Sequence, residues 1–349
     1  MDNTATFQIP PGAQADQDGP ASLRAAQYRS AELERQVAAD PARFTILTGD
    51  RPTGPLHLGH YFGTLASRVR LQRAGVRLFV LVADYQVLTD RDVADRLAAH
   101  AEGLVADYLA AGVDPATATI FAHSAVPALN QLMLPFLSLV SVAEPQRNPT
   151  VKEEIGLSSQ QAVSGLMLTY PVHQAADILF CKANLVPIGK DQLPHLEITR
   201  GIARRFNDRY ARGSALFPVP DALLSAAPHL LGTDGQKMSK SRGNSIPLSA
   251  TADHTARLIR RAKTDALRYV SFDPVTRPEV SSLVLLAALC QDREPHEVVA
   301  QVGSGGAARL KAVVTESVNE FLRPIRTRHA ERTLTEVRAA MGTRYDLPA

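Results

Sequence analysis

The chain reads as an α/β protein with a doubly wound parallel sheet, followed by an all-α helical domain. Three observations predict this. From residue 43 to about residue 207, short apolar runs alternate with helical stretches, the order that lays parallel strands side by side under helices. One of those runs, residues 78–83 (LFVLVA), is apolar throughout, as suits a strand buried on both faces. Beyond residue 251 the strand patterns stop, and helical ones continue toward the C-terminus.

The elements follow in order. Residues 1–20 are polar and rich in proline and glycine, and are expected to be a disordered tail. Residues 21–39 have helical spacing, with Leu23, Tyr28, Leu33 and Val37 near one face. They suit either a docking helix for a protein partner or an appendage packed on the catalytic part, and the second is preferred. Residues 43–47 (RFTIL) predict the first strand, and residues 62–74 a helix. After the strand at 78–83 come a helix at 91–111, stopped by Gly112, and a strand at 119–122. Residues 170–179 (YPVHQAADIL) predict a helix with Pro171 in its first turn. Residues 185–188 predict a strand, followed by a helix from Leu193. The later helices are placed at 253–263, 280–289, 294–301, 307–321 and 328–341. The resulting division is an N-terminal extension (1–40), a catalytic domain (41–230), a loop (231–250) and a helical domain (251–349), with the last helix expected to pack back on the catalytic domain.

At 349 residues, 45% hydrophobic and 21% charged, the chain has the composition of a globular protein of two domains. Its two cysteines, Cys181 and Cys290, form no CxxC and no cluster with histidine, which argues against a disulfide framework and a structural zinc site. A net charge of +3 is compatible with RNA contact without demanding it. There is no long apolar run and no signal-peptide pattern, so a cytoplasmic protein with no membrane association is expected.

Chemistry concentrates in a few stretches. Residues 48–61 (TGDRPTGPLHLGHY) join the first strand to the next helix through Gly49, Gly54 and Gly59. A strand, a glycine-rich turn and a helix N-terminus together aim backbone N–H groups at one point, a seat for phosphate. The spacing is neither GxxxxGK[ST] nor GxGxxG. His57 and His60, as cations or as strong donors, suit a developing phosphate charge. HLGH offers two metal ligands without a third nearby, so no metal is expected there. Residues 237–241 (KMSKS), flanked by Gly235 and Gly243, read as a lysine-bearing loop. Asp177, within the apolar AADIL run, is an acceptor for one N–H in an apolar pocket if it is buried there. Arg204, Arg205, Arg209 and Arg212 read as a solvated face rather than an RNA contact.

HLGH after the first strand and KMSKS after the nucleotide fold together resemble the paired signatures of class I aminoacyl-tRNA synthetases, whose catalytic domain is Rossmann-like. Residues 49–61, 142–154 (VAEPQRNPTVKEE), 169–179 (TYPVHQAADIL), 186–200 (VPIGKDQLPHLEITR) and KMSKS are similar to the bacterial-type tryptophanyl-tRNA synthetase family, over roughly residues 43–326. The resemblance implies ATP with Mg2+ held by its phosphates, L-tryptophan and tRNA(Trp) as substrates, and a homodimer. It implies that His57 and His60 touch the ATP phosphates, and that Lys237 and Lys240, assisted by Ser239 and Ser241, hold pyrophosphate, with Lys152 reaching toward them. Gly49, Arg51, Thr53 and Gly59 line the nucleotide, Met238 lies by the adenine, and Gly189 and Asp191 face the ribose. Asp177 accepts the indole N–H, Tyr170 and Gln192 hold the ammonium group, and Gln174 and Gln86 line the amino-acid pocket. The helical domain reads the anticodon. The absence of any Trp from the chain fits an enzyme whose own synthesis is independent of its product.

The chain departs from that family at Gln174 (often Met), Gln86 (often His), Lys190 (often Glu) and Arg51 (often Gln), and in its N-terminal extension. Two other readings therefore stay open. One is a tyrosyl-tRNA synthetase. The other is an auxiliary paralogue that activates tryptophan or a ring-substituted tryptophan and acts mainly with a protein partner.

Overall fold

The computed structural model describes residues 21–89, 96–157, 163–224, 230–240 and 242–341. Five parallel strands form one sheet in the order β3-β2-β1-β4-β5. They are β1 (Thr45–Asp50), β2 (Arg77–Val82), β3 (Ala118–Ala122), β4 (Leu185–Ile188) and β5 (Asp221–Leu224). The chain moves outward from β1 to β3 and then returns to β4 on the other side of β1. The strand order thus reverses between β1 and β4, where α/β sheets open a crevice for ligands at their carboxyl ends.

The helices are α1 (Ala21–Ala39), α2 (Leu58–His60), α3 (Ala66–Arg73), α4 (Leu97–Ala111), α5 (Pro127–Gln131), α6 (Met133–Leu137), α7 (Ala143–Arg147), α8 (Pro149–Leu157), α9 (Gly165–Phe180) and α10 (Leu193–Arg209). A π turn over Tyr61–Leu65 joins α2 to α3. After β5 come α11 (Ala252–Arg261), α12 (Pro278–Gln291), α13 (Pro295–Val302), α14 (Gly306–Glu331) and α15 (Leu334–Ala340). Side chains alternate across the sheet as the strand period requires. Ile46, Leu78, Val80 and Val82 join one core with α4, α12 and α14. Leu47, Leu81 and Val186 join another with α9 and α10.

Several boundaries differ from the sequence-based expectation. The first strand starts two residues later, because Pro41 opens a 3-10 turn through Arg43, and it runs on to Asp50. β5 was not anticipated: four residues (DALL) beside Pro218 and Pro220 carry no alternation, and pairing with β4 makes them a strand. The helix carrying Pro171 begins at Gly165, where Ser164 caps the Met167 N–H at 3.1 Å, so this proline lies inside the helix rather than in its first turn. α14 runs through Pro324 to Glu331 instead of breaking after Phe321, and the break falls before Thr333, which caps α15. The expected tail at 1–20 and the start of the expected helix at 91–111 lie outside the described residues.

α1 packs across β5. Ser30 Oγ accepts the Leu224 N–H at 2.8 Å and donates to the Ala222 carbonyl at 3.3 Å, so one hydroxyl serves both kinds of edge group on the outermost strand. Leu33 and Val37 are buried, and Arg29 pairs with Asp221 at 2.6 Å. From the other end, Phe321 of α14 packs on Tyr61 and Phe62 with ring centroids 5.0 and 5.1 Å away, and Arg338 of α15 pairs with Glu102 of α4 at 2.8 Å. The helical part therefore rests directly on the helix that follows the first turn.

Candidate active site

Gly49 lies opposite Leu81 in the β1–β2 pairing, and a Cβ there would sit 2.3 Å from the Leu81 carbonyl oxygen. Only glycine fits so close a strand approach. Asp50 ends the strand. Its Oδ2 accepts Arg68 Nη1 at 2.5 Å and the Tyr108 hydroxyl at 2.7 Å. Burial alone would raise the Asp50 carboxyl; Arg68, aided by His60 and Tyr108, outweighs it and holds the group well below the usual carboxylate range. The turn that follows is pinned from beneath by Asp107 of α4, whose Oδ2 accepts the Leu56 N–H at 2.7 Å. The other oxygen of Asp107 lies 3.4 Å from His329 Nε2 on α14.

His57 opens α2, and its ring lies on that of His60 with centroids 3.6 Å apart. Gly59 separates them: a Cβ there would be 3.0 Å from the His57 ring and 3.3 Å from the Met238 sulfur. Burial, with His60 and Lys240 nearby, lowers His57 to about 3, and burial lowers His60 to about 4. Both rings are therefore neutral at pH 7. Of the two forms expected from the sequence, the neutral donor is the one this environment supports, because two adjacent buried imidazoles cannot both carry charge. His57 Nδ1 is buried without a hydrogen-bond partner.

The KMSKS segment folds onto this turn. Leu58 N–H donates to the Ile246 carbonyl at 3.0 Å and Leu248 N–H to the Leu56 carbonyl at 2.9 Å. Lys240 Nζ donates to the Gly54 carbonyl at 2.8 Å, and burial lowers its pKa. Met238 is buried and packs into the core beside the turn, with its sulfur against Gly59. Lys237 is exposed, Ser239 N–H donates to Asn244 Oδ1 at 2.8 Å, and Ser241 lies outside the described residues. Arg51 is exposed in the turn and Thr53 half-buried. Lys152 is exposed on α8.

Asn244 was missed as a site residue. It is 2% exposed, and its amide donates to Asp234 Oδ1 at 2.7 Å and to the Lys237 carbonyl at 3.1 Å. A Cβ on Gly232 would lie 2.3 Å from that amide. Asn244 thus ties both ends of the lysine-bearing loop together. Its place in a glycine-rich turn was the available signal.

A second group of residues gathers at the ends of β2 and β3 and on α9. Asp177 is 2% exposed. Its Oδ1 lies 2.9 Å from His123 Nε2, and its Oδ2 accepts from Gln86 Nε2 at 3.3 Å. Tyr170, one face of α9 removed by whole turns from Asp177, has its hydroxyl 3.1 Å from His195 Nε2, and His195 Nδ1 is 3.3 Å from Asn148. Burial lowers His195 to about 4, so it is a neutral partner. Gln174 is half-buried on the same helix. Gly189 and Asp191 stand where β4 meets α10, with the Asp191 carboxylate 2.5 Å from where a Gly189 Cβ would be. Gln192 Nε2 donates to Asp191 Oδ2 at 3.1 Å. His123, His195 and Asn148 were not singled out from the sequence, since single polar residues in apolar stretches carry no spacing signal.

His123, His173 and Asp177 offer ligand atoms within 4.8 Å of one another, the arrangement of a metal site. Their bonds point to an ion pair instead. Burial would lower His123, but Asp177 and Asp84 push it up to about 9, as suits an imidazolium between two carboxylates. His173 Nε2 donates to Asn130 Oδ1 at 2.8 Å.

Residues 40–323 match the family described as tRNA synthetases class I (W and Y). The chain is 41% identical to the tryptophan–tRNA ligase of Treponema pallidum, over 82% of this chain and 86% of that protein. It is 39% identical to the tryptophan–tRNA ligase of Streptococcus pyogenes, over 86% and 98% of the two. The crystal structure of tryptophanyl-tRNA synthetase from Campylobacter jejuni, complexed with ADP and tryptophan, superposes with a TM-score of 0.74 at 26% identity, covering 85% of this chain and 92% of that one. The strand order, the paired histidine turn and lysine loop, and these similarities agree: the chain belongs to the class I tRNA synthetases of the W and Y family.

Proposed function

We propose that the chain is a tryptophan–tRNA ligase. The tryptophan carboxylate attacks the α-phosphorus of ATP, the bond to the β-phosphate oxygen breaks, and pyrophosphate leaves with the displaced electron pair. The 3′-terminal ribose of tRNA(Trp) then takes the aminoacyl group and AMP departs. Nothing in the protein becomes covalently bound, so catalysis is positioning and charge stabilisation.

The observation that carries this reading is Lys240 on the Gly54 carbonyl, which brings a cation to the turn where His57 and His60 offer neutral N–H donors. Lys240 and the two histidines stabilise the departing pyrophosphate, and Lys237, Ser239, Ser241 and Lys152 assist. Gly49, Arg51, Thr53, Gly59, Gly189 and Asp191 bind the nucleotide, and Mg2+ enters with ATP as part of the substrate. Asp177 accepts the indole N–H, with Tyr170, Gln174, Gln192 and Gln86 around the amino acid. The names of the relatives support tryptophan over tyrosine. A homodimer acting in the cytoplasm accompanies the reading; among the described residues no helix is long and apolar enough to cross a membrane.

Amino-acid-dependent ATP–pyrophosphate exchange tests it, with tryptophan and tyrosine side by side and tRNA charging after. Exchange with tryptophan followed by charging is expected. Exchange with tyrosine alone would reassign the pocket, and exchange without charging would indicate an auxiliary adenylating protein. Lys240→Ala is expected to lower tryptophan-dependent exchange by about 10²- to 10³-fold, the usual loss for one donor to a developing charge.

A further inference from the structure

The carboxylate at the base of the amino-acid pocket is held by a chain of buried charge. His123 is 0% exposed at the end of β3. Its Nε2 meets Asp177 Oδ1 at 2.9 Å, and its Nδ1, which is buried without a hydrogen bond, lies 3.4 Å from Asp84 Oδ1. A doubly protonated ring places its positive charge between the two carboxylates. Asp84 is in turn anchored by the Tyr85 N–H at 3.0 Å and by the Ser124 hydroxyl. The other groups facing His123 are the Tyr85 ring, stacked at 5.7 Å, and His173, 4.6 Å away, which burial keeps neutral. The order Asp84, His123, Asp177 therefore alternates in charge and runs from the sheet end to α9.

We propose that His123 is a specificity-positioning residue: by engaging Oδ1, it orients Asp177 so that Oδ2, the oxygen Gln86 also reaches, is the acceptor that requires a ring N–H from the amino acid. The inference rests on the tryptophan reading and adds what enforces it. A carboxylate locked on one side cannot turn to another donor when the substrate brings none. A ring of the same shape that lacks the N–H then leaves a desolvated charge short of a hydrogen bond, the situation in which sites discriminate most strongly. A carboxylate released from His123 reorients, and the penalty against such a ring falls.

The test compares kcat/KM for tryptophan with that for 3-benzothienylalanine, in which sulfur replaces the ring N–H, by pyrophosphate exchange. In His123→Leu the ratio is expected to drop at least about tenfold from the wild-type value. His123→Gln, which keeps a donor of similar reach, is expected to retain most of it. A purely structural role would lower both substrates together and leave the ratio unchanged in both variants, which would overturn the proposal. Should His123→Leu fail to fold, His123→Asn decides, because its amide extends only about as far as the ring Nδ1 and leaves Asp177 Oδ1 without the contact made by Nε2. Its ratio is expected to drop as for leucine, and an unchanged ratio would overturn the proposal. Wild-type enzyme inactive with tryptophan would instead count against the ligase reading itself.

Discussion

Replacing Arg68 by Met removes a charge from beneath the phosphate turn while nearly keeping its volume. Arg68 is 2% exposed and lies on α3, 18 residues along the chain from Asp50 at the strand end it braces. Its guanidinium reaches Asp50 at 2.5 Å and the Gly49 carbonyl at 3.4 Å, and lies 5.6 Å from the centroid of the Tyr108 ring. In the variant, Asp50 keeps only the Tyr108 hydroxyl. Breaking a buried pair by removing one partner costs about 3–5 kcal/mol, because the charge left behind is uncompensated. That is about a fifth or more of the stability of an ordinary domain, about 5–15 kcal/mol. The pH dependence follows from the same pair. In the wild type, the folded-state pKa of Asp50 is depressed, so its contribution is present above the unfolded value of about 3.9 and is lost as pH falls through the lower folded value. In Arg68→Met, burial outweighs the Tyr108 hydroxyl that remains and raises the folded-state value. The destabilisation is then largest at alkaline pH and shrinks as acid neutralises Asp50. Urea unfolding of both proteins from pH 8 to pH 5 measures the gap directly. A gap below about 1 kcal/mol at pH 8, or one that does not narrow toward pH 5, would refute the reasoning. Asp50→Asn in the Arg68→Met background should recover part of the loss, since the two residues act as a pair.

Other expectations concern the same turn. Because His57 and His60 are lowered to about 3 and about 4, tryptophan-dependent exchange should show no ionisation from these histidines between pH 6 and pH 8 in the free enzyme; a step there that disappears in His60→Asn would contradict their neutrality. Their unfolded-state forms titrate near 6.5, so the stability they permit is present above that value and declines as pH falls below it, visible as a loss of melting temperature in Asp50-intact protein. Asn244→Ala, which removes the amide's bonds to Asp234 and to the Ser239 N–H, should cost about 1–3 kcal/mol and raise KM for ATP more than KM for tryptophan. Asp107→Leu, which removes the acceptor for Leu56 N–H, should likewise raise KM for ATP; equal effects on both substrates would indicate global damage instead.

The first strand, the histidine turn and the lysine loop were legible because each depends on local composition. An apolar run predicts β2, since a strand between helices contacts apolar groups on both sides. Glycine at 49, 54 and 59 marks backbone that approaches something closely or turns in an unusual way; the structure supplies Leu81 at Gly49, the His57 ring at Gly59 and a φ of 123° at Gly54. Helix ends were less legible. Nothing local distinguishes Pro324 inside α14 from a helix stop, and packing of Leu322 and Ile325 into the core carries the helix through.

The sequence by itself determined the fold class, the two motifs, and the carboxylate at Asp177, because periodicity and turn chemistry are encoded in neighbouring residues. Only the tertiary structure decided which groups those residues meet. His123 lies 54 positions from Asp177 and Asp107 lies 51 positions from Leu56, yet each pair is in direct contact. The protonation of His57, His60 and His123 was settled the same way: three histidines with one intrinsic pKa diverge to about 3, about 4 and about 9, because burial opposes charge in all of them and two carboxylates reverse it only at His123.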